Sequence, residues 1–282
     1  MEIKSLADTR LETIFKAFNS AFSDYEVQYN FDELKSLWLR RGYKPDLSFA
    51  AFEGNDIVAF TLNGIGTFKG LLTAYDTGTG TLPDYRGQGL ATKIFEYSIP
   101  FLKRNGVHQY VLEVLQHNAK AISVYQSLGF EKTREFNYFM QNNDNVCVRS
   151  VEESSFELRR IDVLDEDIVS CFWDFNPSWQ NSFESIKRAY DNFIFLGAFN
   201  NQTLIGYAVF DPSSGDVTQI AVDQQNRRCG AGSLLLKEIC KLNKHQIIKL
   251  VNTEIECLTI TQFLESHNII PKGKQFEMIR KL

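Results

Sequence analysis

The chain has 282 residues, 44% hydrophobic and 23% charged, with 30 basic against 35 acidic side chains and a net charge of −5. That usage belongs to a chain that folds throughout. At roughly 150 residues per domain it divides into about two domains, each large enough to need no disulfide or metal staple. The acidic balance, with basic residues no denser than the pairs Arg40-Arg41, Arg159-Arg160 and Arg227-Arg228, argues against a nucleic-acid surface. No apolar run of about twenty residues is present to span a membrane.

Charges at Glu2, Lys4, Asp8, Arg10, Glu12 and Lys16 fall where a signal peptide would need an apolar core. The five cysteines (Cys147, Cys171, Cys229, Cys240, Cys257) show no C-x-x-C spacing. Reduced thiols in a cytoplasmic protein are therefore expected. The scattered histidines, His108, His117, His245 and His267, predict no metal site.

Taken in chain order, the elements repeat. Met1 to Leu6 alternates apolar and charged residues as a first strand does, and Phe156 to Ile161 repeats the alternation 155 positions later. Helices are expected over Leu11–Phe22 and Asp32–Arg41. A hairpin over Ala51–Phe60 follows, echoed by Ala198–Tyr207 at an offset of 147. A long strand through Tyr75–Leu82, the turn Pro83-Asp84-Tyr85 and a helix over Leu90–Asn105 come next, with a kink or early end expected at Pro100. A strand over Gln109–Leu115 and a helix over Ala119–Leu128 complete the first half. The turn Arg86-Gly87-Gln88-Gly89-Leu90-Ala91 recurs as Arg227-Arg228-Cys229-Gly230-Ala231-Gly232, offset by 141. Three matches in conserved order indicate a duplicated module. The junction falls in Asn142–Ser155, in which Val146-Cys147-Val148 could pair as a short strand, giving domains over 1–145 and 154–282. Each half reads as an α/β domain with a mixed sheet flanked by helices.

The chemistry concentrates in the first half. A strand, a glycine-rich turn and a helix start form a phosphate-binding arrangement, because glycine lets the backbone approach an anion and the first helical turn offers free N–H groups. After the next strand, Asn118 is a natural N-cap for a helix that carries Tyr125 and closes with Gly129-Phe130.

Over Thr81 to Phe130 this pattern resembles the GCN5-related N-acetyltransferase (GNAT) superfamily, with its R/Q-x-x-G-x-G/A turn followed by an Asn-led helix with a tyrosine and Gly-Phe. The repeated hairpins extend the likeness to a tandem arrangement of two such domains, each with a mostly antiparallel mixed sheet, the second degenerate. The resemblance implies acetyl-CoA as cosubstrate, held between two splayed strands. Its pyrophosphate would sit on Arg86, Gly87, Gln88, Gly89, Leu90 and Ala91, and its pantetheine arm would lie along Thr79, Thr81 and Leu82. Asn118 would contact the arm, and Tyr125 would protonate the departing thiolate. A strand amide would polarise the thioester carbonyl. For the base, Asp76 and Glu113, with Tyr75 near them, are the candidates beside a water-relayed path; period-two alternation cannot place all three on one face.

In the second half the turn persists, but aligning Asn268-Ile269 with Gly129-Phe130 sets Leu264 at the tyrosine's position and Cys257 at the asparagine's. That half is expected to be structural or substrate-shaping, with Asp216 as a possible vestigial carboxylate. The loop Asp24 to Tyr29 mixes aromatics and acids suited to an ammonium group, which makes Tyr25, Glu26 and Tyr29 candidate substrate contacts. Pro177 to Ser182, with Trp179, occupies the comparable region of the second half. The aromatic stretches Phe15–Phe22 and Phe172–Phe175 read as core.

The function expected from the resemblance is transfer of acetyl from acetyl-CoA to a small-molecule or peptide amine, by direct attack on the thioester in the first domain. No nucleic-acid or membrane partner is expected, and nothing in the pattern fixes an oligomeric state. The rival is a non-catalytic acyl-CoA-binding or sensing protein. A nucleotide-phosphate enzyme lacks its Walker lysine and G-x-G-x-x-G turn here.

Overall fold

The computed structural model describes residues 1–24, 28–148 and 156–282. The chain forms two compact units. Unit 1 comprises Met1–Thr133, Lys187–Ala189 and Glu277–Leu282, and unit 2 comprises Arg134–Ile186 and Tyr190–Phe276. Compact units and consecutive halves thus differ in one strand's length at each chain boundary: residues 134–142 count with unit 2 and the last six residues with unit 1.

Unit 1 runs β1 (Glu2–Ser5), α1 (Leu11–Ala21), α2 (Phe31–Arg41), β2 (Phe49–Glu53), β3 (Asp56–Phe68), β4 (Leu71–Thr81), α3 (Leu90–Arg104), β5 (Gln109–Leu115) and α4 (Ala119–Ser127). Its strands lie in the order β1-β2-β3-β4-β5. The pairs are antiparallel except β4 with β5, which is parallel. Helix α1 forms because Ile14, Ala17, Phe18 and Ala21 recur at helical spacing, and that face is buried against Trp38, Phe60 and Leu62. A capping box between Asn30 and Glu33 opens α2, and Gly42 in the left-handed region (φ 80°) closes it. Helix α3 continues through Pro100 to Arg104 without an early end. The carbonyl that loses its partner is that of Glu96, and both residues are exposed, so water can take it up.

Unit 2 holds β7 (Glu157–Arg160), α5 (Glu166–Ser170), β8 (Ile194–Asn200), β9 (Thr203–Asp211), β10 (Asp216–Val222), α7 (Ala231–Leu242), β11 (Ile247–Glu254) and α8 (Leu258–Ser266), with the larger parts of β6 (Glu131–Asn142), α6 (Phe183–Arg188) and β12 (Pro271–Lys281). Within it the order is β6-β11-β10-β9-β8-β7. Its core gathers Leu196, Ala208 and Phe210 from the sheet with Leu235, Leu236 and Ile239 from α7. No strand forms at Val146–Val148; one backbone bond, from Cys147 N–H to the His267 carbonyl at 3.0 Å, ties the segment down. The rest of the expected junction, residues 149–155, lies outside the described residues.

Candidate active site

In unit 1 the parallel register of β4 and β5 covers only Thr73↔Gln109, Ala74↔Tyr110 and Tyr75↔Val111. Both strands run on, to Thr81 and Leu115, so an opening follows Tyr75 and Val111. On its other edge β4 stays paired with β3, but the register shifts between Gly78↔Leu62 and Asp76↔Asn63, leaving Thr77 as a bulge. The bulge resets the alternation of side chains. Asp76 and Thr79 therefore share one face, which their hydrogen bond at 2.9 Å requires, and Gly78 and Gly80 turn to the other. On that second face a Cβ on Gly78 would stand 2.9 Å from Phe18, and one on Gly80 2.6 Å from Phe60. Glycine is needed at both because α1 packs directly on the strand.

The ladder also fixes where the backbone of β4 points. Leu82 N–H donates to the Val58 carbonyl at 2.9 Å, so Leu82/Val58 is a hydrogen-bonded pair. Alternation makes Gly80/Phe60 another, and Thr79 and Thr81 then direct their N–H and C=O groups away from β3, toward the opening beside β5. Of the three residues expected along the cosubstrate arm, Leu82 differs: its N–H goes to Val58 and its carbonyl accepts from Tyr85 N–H.

The turn enters α3 through two left-handed glycines, Gly87 (φ 78°) and Gly89 (φ 70°), and nothing lies within 4 Å of where a Cβ on either would stand. Gly89 caps α3 without a side-chain bond, and the first intrahelical bond runs from Lys93 N–H to the Gly89 carbonyl. The amides of Leu90 and Ala91 thus precede the helical ladder and face an open cradle beside exposed Gln88. A phosphate group fits this cradle.

Arg86 is engaged elsewhere. Its guanidinium forms a two-pronged pair with Asp24 at 2.8 and 3.0 Å and also donates to the carbonyls of Ala21 and Thr81. The hydrogen bond from Arg86 holds the Asp24 carboxyl below its usual range. This clamp ties the end of α1 to the turn. Asn118 caps α4 by accepting from Ala121 N–H at 3.2 Å.

Tyr125, half-buried on α4, stacks edge-on to Phe130 and donates its hydroxyl to Asp76 Oδ2 at 3.1 Å. Tyr75 lies on the opposite face, fully buried, with its hydroxyl on Glu113. The three acid-base candidates are therefore split, Asp76 with Tyr125 and Tyr75 with Glu113, as alternation requires. Burial raises the Asp76 carboxyl above its usual range against the opposing effects of Thr79, Gly78, Tyr125 and Arg41. Burial, reinforced by Glu113, pushes Tyr75 well up. Arg41, at the end of α2, is the residue that sequence reasoning missed. It donates to the Thr77 carbonyl at 3.4 Å and lies 5.9 Å from the Tyr75 ring. Burial alone would lower its pKa, but Tyr75, Tyr29, Glu113 and Asp76 outweigh that and raise it. Tyr29, the described member of the expected substrate loop, packs against the α1–α2 core, while Tyr25 and Glu26 lie outside the described residues.

Unit 2 repeats this framework part by part. Thr218 is the bulge of β10, and β10 meets β11 in parallel only at Asp216↔Lys249. Arg227 clamps Asp174 with two bonds of 3.0 Å and donates to the carbonyls of Phe172 and Val222. Gly230 (φ 98°) caps α7. Ile269 N–H returns to the Leu264 carbonyl at 2.9 Å as Phe130 N–H returns to Tyr125 at 3.0 Å, which fixes Leu264 as the counterpart of Tyr125. The two bulges set Val217 at Asp76, the parallel registers set Val251 at Glu113, and the aligned helix ends set Cys257 at Asn118. Between β10, β11 and the start of α7 lies a cavity of about 700 Å³ lined by Phe172, Trp173, Arg227, Gly232, Thr253 and Phe263, among others.

The Acetyltransferase (GNAT) family model matches residues 11–130 and 161–256. The chain belongs to this family. It is an acyltransferase of the N-acetyltransferase type, a family that uses acetyl-CoA, and it holds two copies of the domain. It is 30% identical over 102 residues to N-alpha-acetyltransferase 30 of Schizosaccharomyces pombe, covering 36% of this chain and 68% of that protein. Over 58 residues it is 47% identical to the [ribosomal protein bS18]-alanine N-acetyltransferase of Escherichia coli, covering 20% of this chain and 39% of the relative. In fold it matches a tandem GNAT protein from the clavulanic acid biosynthesis pathway, with a TM-score of 0.72 at 12% identity over 99% of this chain and 98% of that one. A Pyrococcus horikoshii acetyltransferase matches with a TM-score of 0.70 at 14% identity, over 100% and 89% of the two chains. No helix among the described residues is long and apolar enough to cross a membrane.

Proposed function

We propose that this chain transfers acetyl from acetyl-CoA to an amine by direct attack, and that the reaction takes place in unit 1. The observation that carries this reading is Tyr125, whose hydroxyl reaches the bulge of β4 at the opening between β4 and β5, whereas unit 2 has buried Leu264 in its place.

Acetyl-CoA supplies the thioester and the thiolate leaving group. The open cradle of Gly87, Gln88, Gly89, Leu90 and Ala91 takes the pyrophosphate, and the outward backbone groups of Thr79 and Thr81 bind the arm. Tyr125 holds the proton that the thiol needs. Asp76 already accepts from Gly78, Thr79 and Tyr125, which leaves Glu113, on the other face with Tyr75, as the carboxylate that relieves the amine of its proton.

The acceptor is a peptide or small-molecule amine. Two of the relatives above are named for α-amino and alanine N-acetylation, which makes a peptide with a free α-amine the first acceptor to test. A cytoplasmic location accompanies this reading. In unit 2 no acid-base pair stands at the cavity's corresponding positions, so no transfer step is assigned there.

Thiol release from acetyl-CoA, measured with an N-terminally free peptide panel and a panel of small amines, tests the reading. Amine-dependent release that Tyr125→Phe abolishes supports it; no release with any amine overturns it.

A further inference from the structure

Asp76 has a more specific place in this site than that of a spare carboxylate. Its Oδ1 accepts the Gly78 amide at 2.9 Å, and its Oδ2 accepts the hydroxyls of Thr79 at 2.9 Å and Tyr125 at 3.1 Å. Two of these donors, Gly78 and Thr79, are the two residues that follow the bulge on the same strand, so the carboxylate is fixed to that strand before Tyr125 reaches it. The bulge at Thr77 is what makes this possible. In an unbroken strand Asp76 and Thr79 would fall on opposite faces, and Thr79 could not bond Asp76.

On its side the Tyr125 ring stands edge-on to Phe130, with centroids 5.6 Å apart. It projects from a helix of nine residues with only Ile122 fully buried. A general acid must sit within hydrogen-bond reach of its target, so the place of the phenol oxygen matters more than that of the ring. The anchored carboxylate fixes that oxygen through its own hydrogen bond. We infer that Asp76 is the positioning residue for Tyr125, using the β4 bulge as its mount to hold the phenol oxygen at the opening between β4 and β5.

Unit 2 is consistent with this pairing. Where Tyr125 becomes Leu264, Asp76 becomes Val217, although the bulge itself persists at Thr218. The carboxylate and the phenol are present together or absent together, while the backbone device that could hold a carboxylate remains.

The inference rests on Tyr125 being the leaving-group acid, and the test separates the two. The charged and titratable groups around Asp76 are Arg41 from α2, Tyr75 on β4, Tyr110 and Glu113 from β5, and Tyr125 from α4. In the free protein labelled at tyrosine Cζ, the Tyr125 resonance is identified by its loss in Tyr125→Phe. It is expected to move with pH as Asp76 titrates and to stay still in Asp76→Asn. Asp76→Asn is also expected to lower kcat about tenfold or more while the KM for acetyl-CoA stays within about twofold, because only the placement of the acid changes.

A Tyr125 signal that is insensitive to pH in the wild type, or that titrates identically in Asp76→Asn, overturns the inference. So does a wild-type kcat in Asp76→Asn when Tyr125→Phe is inactive. A fully active Tyr125→Phe overturns the acid assignment instead, whatever Asp76 does.

Discussion

Arg86 and Arg227 perform one task in two places, whereas Tyr125 and Leu264 share a position and nothing else. Each arginine grips an aspartate and two backbone carbonyls, fixing the turn to the segment after the first helix of its unit. Both bulges and both left-handed caps persist as well. The proposed acid, its positioning carboxylate and the proposed base have no counterparts in unit 2: Leu264, Val217 and Val251 stand where unit 1 has Tyr125, Asp76 and Glu113. The difference shows that scaffold and chemistry are separable here. The scaffold rests on backbone conformation and one clamp, which many neighbours enforce, while acid-base chemistry rests on single side chains that can be exchanged without disturbing the fold.

The sharpest way to break this contrast is Tyr125→Phe. It should lower kcat about a hundredfold or more and leave acetyl-CoA affinity, read by calorimetry, little changed. Leu264→Ala should do the reverse. It removes a fully buried side chain from the unit 2 core and should cost about 2–5 kcal/mol in denaturant unfolding, with turnover per folded molecule unchanged.

A third variant compares the two central strands. Gly80→Ala would set a methyl 2.6 Å from Phe60 and 3.0 Å from Ala21, where the counterpart in unit 2 is already Ala221. Overpacking at this site should cost about 1–3 kcal/mol, seen as a lower denaturant midpoint. The two clamps come next. Side-chain exposure is 25% and 27% for Arg227 and Asp174 but 42% and 55% for Arg86 and Asp24, so solvent screens the second pair more. Arg227→Ala should lose on the order of 1 kcal/mol and Arg86→Ala less, a ranking that thermal unfolding of both variants would check.

The smallest effect is a pH dependence confined to unit 1. Because the folded state raises the Asp76 carboxyl, it binds that proton more tightly than the unfolded chain does. The stability this contributes is fully present below the unfolded carboxylate value and is lost as pH rises through the folded value. The stability of wild type relative to Asp76→Asn should therefore shift in favour of wild type as the pH falls from neutrality to about 4. No such shift should accompany Val217→Ala, which removes no titratable side chain.

Much of this site was legible in the residues. The turn into α3 sets glycine at its two left-handed positions, Gly87 and Gly89, a pattern visible in the sequence; in unit 2 Gly230 keeps one of them and Arg228 (φ 64°) takes the other. The N-cap at Asn118 and the glycine that closes α4 bracket Tyr125 at a spacing only a short helix satisfies. The equivalence of Leu264 and Tyr125 followed from aligned helix ends, which the returning backbone bonds reproduce.

Three things were not legible. The clamp on Arg86 left no local sign because its partner, Asp24, lies 62 positions away. Arg41 read only as half of a basic pair, since only the packing of α2 against β4 sets it beside Tyr75. The bulge at Thr77 left no mark in a strand of threonines and glycines, yet it decides which side chains share a face.

The sequence by itself determined the family, the duplication, the helices with their caps, the glycine turn into α3 and the place of Tyr125 on its helix, because each depends on residues close together in the chain or on a pattern repeated along it. Tertiary structure alone decided the partners: Asp76 for Tyr125, Glu113 for Tyr75, Asp24 for Arg86, and the cavity in unit 2. Those pairings depend on the register between strands and on one inserted residue, and a shift of a single position sends every side chain beyond it to the opposite face.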